Sequence, residues 1–179
     1  MNETPQLSEQ PLTRFSSELP VIILTRLAGE DRDWQEADRG PGYFSLPADQ
    51  EIRVRIKGIN DEELGELVND LRPVASLRFL DLSENRNVTN EGLSRLKALP
   101  QLTGLNLSSC TISNAGLAYL RALPHLAYLN LTYCNHLSDP ALKILEAQKS
   151  LTFVDLKGCL GFTQRGFSLV RRRNLTLSR

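Results

Sequence analysis

The strongest constraint on this chain is that it repeats itself. Segments beginning "LRFLDLSENRNVTNEGL" at Leu77, "LTGLNLSSCTISNAGL" at Leu102, "LAYLNLTYCNHLSDPAL" at Leu126 and "LTFVDLKGCLGFTQRGF" at Leu151 align without gaps over their first halves. A degenerate copy, "EIRVRIKGINDEELGEL", precedes them at Glu51, and "NLTLSR" opens a partial one at Asn174. The matched positions Val54, Leu80, Leu105, Leu129 and Val154 advance by 26, 25, 24 and 25 residues. A unit this short cannot bury its own apolar side, so successive copies must stack and share one continuous core.

Within each copy the apolar period switches. Leu80 and Leu82 alternate as a short strand requires, whereas Leu93 and Leu96 are spaced for a helix face. Between strand and helix stands a capping residue: Asn60, Thr89, Ser113, Ser138 and Thr163 share one slot, and Glu63 completes a capping box with Asn60. Glycines at 92, 116 and 166 cost a helix roughly 1 kcal/mol each, a cost that close approach between stacked units would offset. Pro73, Pro100 and Pro124 stand just before the following strands, where they stop the helices.

The frame L-x-x-L-x-L-x-x-[N/C]-x-L, with "VTNEGLSRL", "ISNAGLAYL" and "LSDPALKIL" after it, resembles the leucine-rich repeat, specifically its cysteine-containing subclass, over residues 51–179. That subclass is known from F-box-type receptors and from free-standing bacterial arrays. The resemblance implies an α/β leucine-rich repeat solenoid of about five coils, with a concave parallel sheet, outer helices and an N-terminal cap. It implies no reaction, because the family shares a scaffold.

The cysteines fit this frame. Cys110, Cys134 and Cys159 recur at one slot, with Asn85 there in the copy before. In this class the slot turns inward, so the three thiols are expected as an inert buried ladder, their pKa raised by apolar surroundings. An odd number of cysteines argues against a disulfide framework, and no C-x-x-C or paired histidine suggests a metal. Cys134, His136 and Asp139 lie close enough in sequence to suggest a small cysteine hydrolase, but an inward thiol and an outward turn histidine would not meet. With no phosphate loop, dinucleotide fingerprint or HExxH, the expectation is no enzyme, no catalytic residue, no metal and no cofactor.

Outside the repeats, residues 1–18 are rich in Ser, Glu, Gln, Pro and Thr and are expected to form a disordered tail. Residues 19–50 are expected to cap the first coil, with Trp34, Tyr43 and Phe44 as anchors and Trp34 covering leucine ends. "SSELPVIILTRL" faintly resembles the start of an F-box, which would make the chain a substrate receptor of a ubiquitin ligase. That alternative needs helices over residues 15–50, a span Gly40-Pro41-Gly42 interrupts. Arg171, Arg172 and Arg173 are expected as a solvated cover.

Charge is balanced, 21 basic against 21 acidic residues, which gives no overall pull toward nucleic acid or a membrane. Without a membrane-length apolar run or a secretory signal, a cytoplasmic protein is expected. The strand register then predicts a concave recognition surface. Its candidate residues are Arg53 and Arg55 from the first copy, Phe79 and Asp81 from the second, and Asn106 from the third. Tyr128, Asn130 and Tyr133 follow from the fourth, and Phe153 and Asp155 from the fifth. Asp or Asn at the fifth position of each strand is also simple repeat consensus. Exposed aromatics beside polar groups suit a protein interface. Five strands would span only about 24 Å, and an inner face on the order of 400–500 Å² is small against roughly 800 Å² per partner. The expected function is therefore a non-enzymatic protein–protein interaction module, an adaptor or a subunit of a larger assembly, whose partner also meets the cap and loops or is a short segment.

Overall fold

The computed structural model describes residues 11–30 and 33–179. Four strands precede the repeats: β1 Leu12–Ser17, β2 Ile22–Leu27, β3 Gln35–Arg39 and β4 Gly42–Pro47. Then strand and helix alternate: β5 Gln50–Arg55, α1 Asp61–Leu71, β6 Leu77–Asp81, α2 Asn90–Arg95, β7 Gly104–Asn106 and α3 Asn114–Leu117. The order continues with β8 Tyr128–Asn130, α4 Pro140–Ala147, β9 Phe153–Asp155, α5 Gln164–Ser168 and β10 Thr176–Ser178. Short 3-10 turns, Leu96–Ala98 and Ala118–Ala122, extend α2 and α3.

The strands β5 to β10 form a parallel array in sequence order. Register is strict: Val54, Leu80, Leu105, Leu129, Val154 and Leu177 lie side by side across it. The first five are fully buried, as are Leu82, Leu107 and Leu131 two residues on. The backbone ladder runs past the strands into the following loops, where Leu82, Leu107, Leu131 and Leu156 donate to carbonyls of the next coil at 2.8–2.9 Å.

A side-chain ladder runs parallel to it. Asn85 accepts from the Ile59 amide at 3.0 Å and donates to the Ile56 carbonyl at 2.9 Å, bridging two coils. Cys110, Cys134 and Cys159 occupy the same slot and donate to Leu82, Leu107 and Leu131 carbonyls at 3.1, 3.1 and 2.9 Å. Each satisfies a carbonyl of the coil before it, which a purely apolar side chain could not do.

The helix starts are joined in the same way. Asn60 accepts from the Glu62 and Glu63 amides while Glu63 reaches back to the Asn60 amide, the expected capping box. Thr89 and Thr163 also cap as expected, whereas Ser113 makes no cap bond and the N-cap of α4 is Asp139 and not Ser138. Instead, a side chain at each helix start reaches the Ser or Thr of the same slot in the next coil. Asp61 accepts from the Thr89 amide and hydroxyl at 2.8 and 2.6 Å, and Asp139 does the same for Thr163. Asn90 pairs with Ser113, and Asn114 with Ser138, through both amide and hydroxyl. The helical glycines make room for this contact. A Cβ on Gly92, Gly116 or Gly166 would lie 2.2–2.3 Å from the Oδ1 of Asp61, Asn90 or Asp139.

The N-terminal segment departs from expectation. Residues 12–17 are a strand, paired antiparallel with β4, where a disordered tail was expected over 1–18; residues 1–10 lie outside the described residues. Alternation explains it: Phe15 and Ser17 of β1 point inward, and Phe15 meets Phe44 of β4 at 4.9 Å between ring centroids. Of the two aromatic anchors expected there, Phe44 is buried and Tyr43 is 70% exposed. β2 joins β5 antiparallel and β3 joins β2, so the main sheet has eight strands in the order β10-β9-β8-β7-β6-β5-β2-β3. Residues 15–50 contain strands where an F-box would need helices, which removes that reading of this segment. Arg172 is no solvated cover. Its guanidinium donates to the carbonyls of Gln148, Lys149 and Leu151 as the chain leaves α4.

Gly116→Ala tests the helix joint. In an ordinary helix this change stabilises by up to about 1 kcal/mol. Here it should destabilise by about 1–3 kcal/mol, because Asn90 must be pushed off Ser113, measured as a lower midpoint in urea unfolding.

Candidate functional site

Side chains paired across the sheet share one face, and the inner face carries two rows. One comes from the third position of each strand: Arg53, Phe79, Gly104, Tyr128 and Phe153. The other comes from the fifth: Arg55, Asp81, Asn106, Asn130 and Asp155. These include every sequence-nominated site residue except Tyr133. Tyr133 stands on the loop after β8 with φ 59° and 64% exposed, at the rim of the same face.

The aromatic row is continuous. Tyr128 and Phe153 stack at 5.5 Å with 6° between their planes, near the natural spacing of neighbouring strands. Phe79 is two strands from Tyr128, yet their centroids are 5.6 Å apart. Gly104 lies between them, and a Cβ there would meet the Phe79 ring at 2.2 Å. Absence of a side chain at 104 is therefore what lets Phe79 lean across and close the row. On its other side, Phe79 carries the Arg53 guanidinium at 4.3 Å and the Trp34 ring edge-on at 6.5 Å. Trp34 in turn lies under Arg26 at 4.5 Å. Trp34 thus joins the end of this row, where the sequence reading had it covering leucine ends.

The polar row is largely spoken for. Oδ1 of Asp81, Asn106, Asn130 and Asp155 each accepts from the amide two residues on, at 2.9–3.2 Å, closing the turn out of its strand. The repeat-consensus reading of this position accounts for that half of each side chain. Of the other halves, Asn106 Nδ2 donates to Asp81 and Asp155 Oδ2 lies 3.7 Å from Lys157 Nζ, which leaves Asn130 Nδ2 for a partner. Asp81 keeps nothing back. It is 2% exposed and also bonds Arg53 at 2.5 Å, Arg55 at 3.2 Å and Asn106 at 3.0 Å. Its expected role as a partner contact is corrected: it is the buried counter-ion that holds Arg53 over Phe79.

Burial pushes the Asp81 carboxyl up, but hydrogen bonds from Arg53 and Ser83 and the Arg53 charge outweigh it and hold it below its ordinary value. Burial, then the charge of Asp155, raises the Tyr128 phenol, so it stays a neutral hydrogen-bond donor.

The nominated chemistry is not assembled. Burial pushes the Cys110 and Cys134 thiols up to about 12, and Cys159 upward as well. Cys134 is fully buried, His136 is exposed, and the Asp139 carboxylate is taken by Thr163. Among the described residues no group of three His, Cys, Asp or Glu side chains could hold a metal ion.

The leucine-rich repeat family model matches residues 75–97, 99–120 and 122–143, three successive coils of this sheet. Over these three coils the chain is a leucine-rich-repeat array. Among solved structures, this repeat array is similar to TLR13 in a crystal structure of its complex with ssRNA13, at a TM-score of 0.44 and 23% identity. The match covers 69% of this chain and 20% of that one, so the chain spans about a fifth of that neighbour's length. No curated protein matches it.

Sequence reasoning passed over Gly104, Trp34 and Arg26 as parts of one row. Gly104 did carry a signal, being the lone glycine at the third position, where a missing side chain marks close approach. The cap strands carry no repeat period to place them.

Two outcomes follow. Asp81→Asn leaves two guanidinium groups without their buried counter-ion and should cost about 3 kcal/mol or more. Because the folded carboxyl titrates below its unfolded value, its stabilisation is present above about pH 4 and lost as pH falls through the folded pKa. Wild type should therefore lose more stability than the variant on acidification, read from unfolding curves at successive pH values. Under native conditions near neutral pH, Cys110 and Cys134 should resist iodoacetamide, with the half-exposed Cys159 modified first, as mass spectrometry of intact and digested protein would show.

Proposed function

We propose that the chain is a non-enzymatic protein-interaction module, an adaptor or assembly subunit, and that its working surface is the aromatic row of the concave face. The row itself carries this reading. Four aromatic rings, Trp34, Phe79, Tyr128 and Phe153, are held half-buried in one line on a face that the core does not require. Maintaining that line takes a glycine at 104 and a buried carboxylate at 81. Such anchors beside polar groups are what protein interfaces are built around.

The stacking also favours protein over nucleic acid. Tyr128 and Phe153 cover one another, so the row offers mostly ring edges, whereas bases stack on ring faces. Width supports the reading too. With β2, β3 and β10 added to the five repeat strands, the sheet is about 38 Å across at roughly 4.8 Å per strand, more than the five-strand reading allowed. Three unpaired thiols suit a reducing compartment, in keeping with a cytoplasmic protein.

Affinity capture from native lysate with mass-spectrometric readout tests this, comparing wild type with a Tyr128→Ala/Phe153→Ala variant of matched circular dichroism. A protein retained by wild type and reduced at least about tenfold by the variant, as loss of two interface anchors predicts, is the expected result. Equal retention of every captured protein would reject the concave row as the working surface.

A further inference from the structure

The charge balance of the whole chain conceals a strong asymmetry. Residues 140–179 carry eight basic and two acidic side chains in a chain of 21 and 21. At the N-terminal end the cations of the inner face are matched: Arg26 with Glu51, Arg39 with Glu36, Arg53 and Arg55 with Asp81, and Lys57 with Glu84. At the C-terminal end Lys157 of the inner face is matched too, with Asp155, but four cations elsewhere are not. Among the described residues, Lys143, Lys149, Arg165 and Arg171 are exposed and none forms an ion pair.

These four cations line a groove and an adjoining depression on the outer, helical side. α4 has eight residues and α5 only five, and the two do not pack along their whole length. The resulting groove has a volume of about 500 Å³ and an apolar floor of Pro140, Leu142, Leu169 and Val170, with Lys143 and Arg165 on its rim. Leu169 is 55% exposed there. A second depression, sharing Lys143 and Glu146, continues it past Lys149 and Arg171. The acids in the groove are already committed. Glu146 Oε1 accepts from the Arg171 and Arg172 amides at 2.6 and 3.0 Å, and Asp139 is bonded to Thr163. Both keep their charge, but neither forms an ion pair with a rim cation.

We infer that this groove between α4 and α5 is a second docking site, and that its occupant is an acidic, leucine-type peptide segment of a protein partner. Apolar side chains would fill the floor, and Asp or Glu would face the four unpaired cations. The apolar floor decides against a nucleic-acid backbone, which has nothing to place on Leu142, Leu169 and Val170. The volume falls within the range of sites that enclose a few side chains, and complementary charge would speed encounter and fix orientation. This site is on the opposite side of the solenoid from the aromatic row and stands independently of it.

A displayed library of random short peptides, selected on the full chain, tests the inference. Enrichment of sequences that combine Asp or Glu with Leu, Ile or Phe is expected. Binding of the enriched peptides should fall at least about tenfold in a Lys143→Glu/Arg165→Glu variant and in Leu169→Ser, and persist in Tyr128→Ala/Phe153→Ala. Circular dichroism and thermal melting would confirm that each variant is folded. Enrichment without acidic bias, enrichment insensitive to charge reversal, or no enrichment would overturn the inference. So would binding of single-stranded oligothymidylate, lost on the same charge reversal, that is tighter than that of any selected peptide.

Discussion

Everything in this structure depends on one joint, the contact between a coil and the next. A strand of three to six residues with a short helix cannot remove its leucines from water alone, and it leaves polar backbone without partners. Stacking solves both problems at once. The strand ladder, the Asn85 and cysteine slot, and the side chains that bind the next helix cap are three parallel ways of satisfying polar groups across the same joint. Each spans about one repeat in sequence. The glycines at 92, 116 and 166 belong to this joint, because they leave space for the third of those connections. At the N-terminal end the joint has no preceding coil, and β2, β3 and the β1–β4 pair cover it instead.

The concave face follows from the same register. Because each strand is placed by the joint, third-position side chains fall in a row at strand spacing, where planar rings can stack. The polar residues beside them are anchored to backbone or to one another, so they keep the row in place at little entropic cost when a partner arrives. Asp81 is the clearest case. Its carboxylate is withdrawn from solvent, and through Arg53 it fixes one face of Phe79.

The repeat, the strand register, the helix caps at Asn60, Thr89 and Thr163 and the inward turn of the cysteines were legible in sequence, because each is written several times at a fixed period. Features written once were not. β1 buries Phe15 and Ser17 in alternation, but Ser17 is polar and carries no apolar signal. Trp34 reaches the aromatic row only because β2 and β3 extend the sheet, a pairing made by contacts distant in sequence. Asp81 and Asp155 occupy equivalent positions in their repeats, and only the two arginines of the preceding strand bury the former. Arg172 looks like its neighbours Arg171 and Arg173 in sequence, and the end of α4 singles it out. The nominated residues share the face their register implied, while their availability depended on neighbours that no single repeat encodes.

The central claim is that a protein partner meets the aromatic row. Its most direct test is photo-crosslinking in native lysate with p-benzoylphenylalanine placed at position 128, on the row, or at position 119, an exposed tyrosine position on the outer side. The account predicts a discrete protein adduct from position 128 that is absent from position 119. An adduct from position 119 with none from position 128 would contradict it.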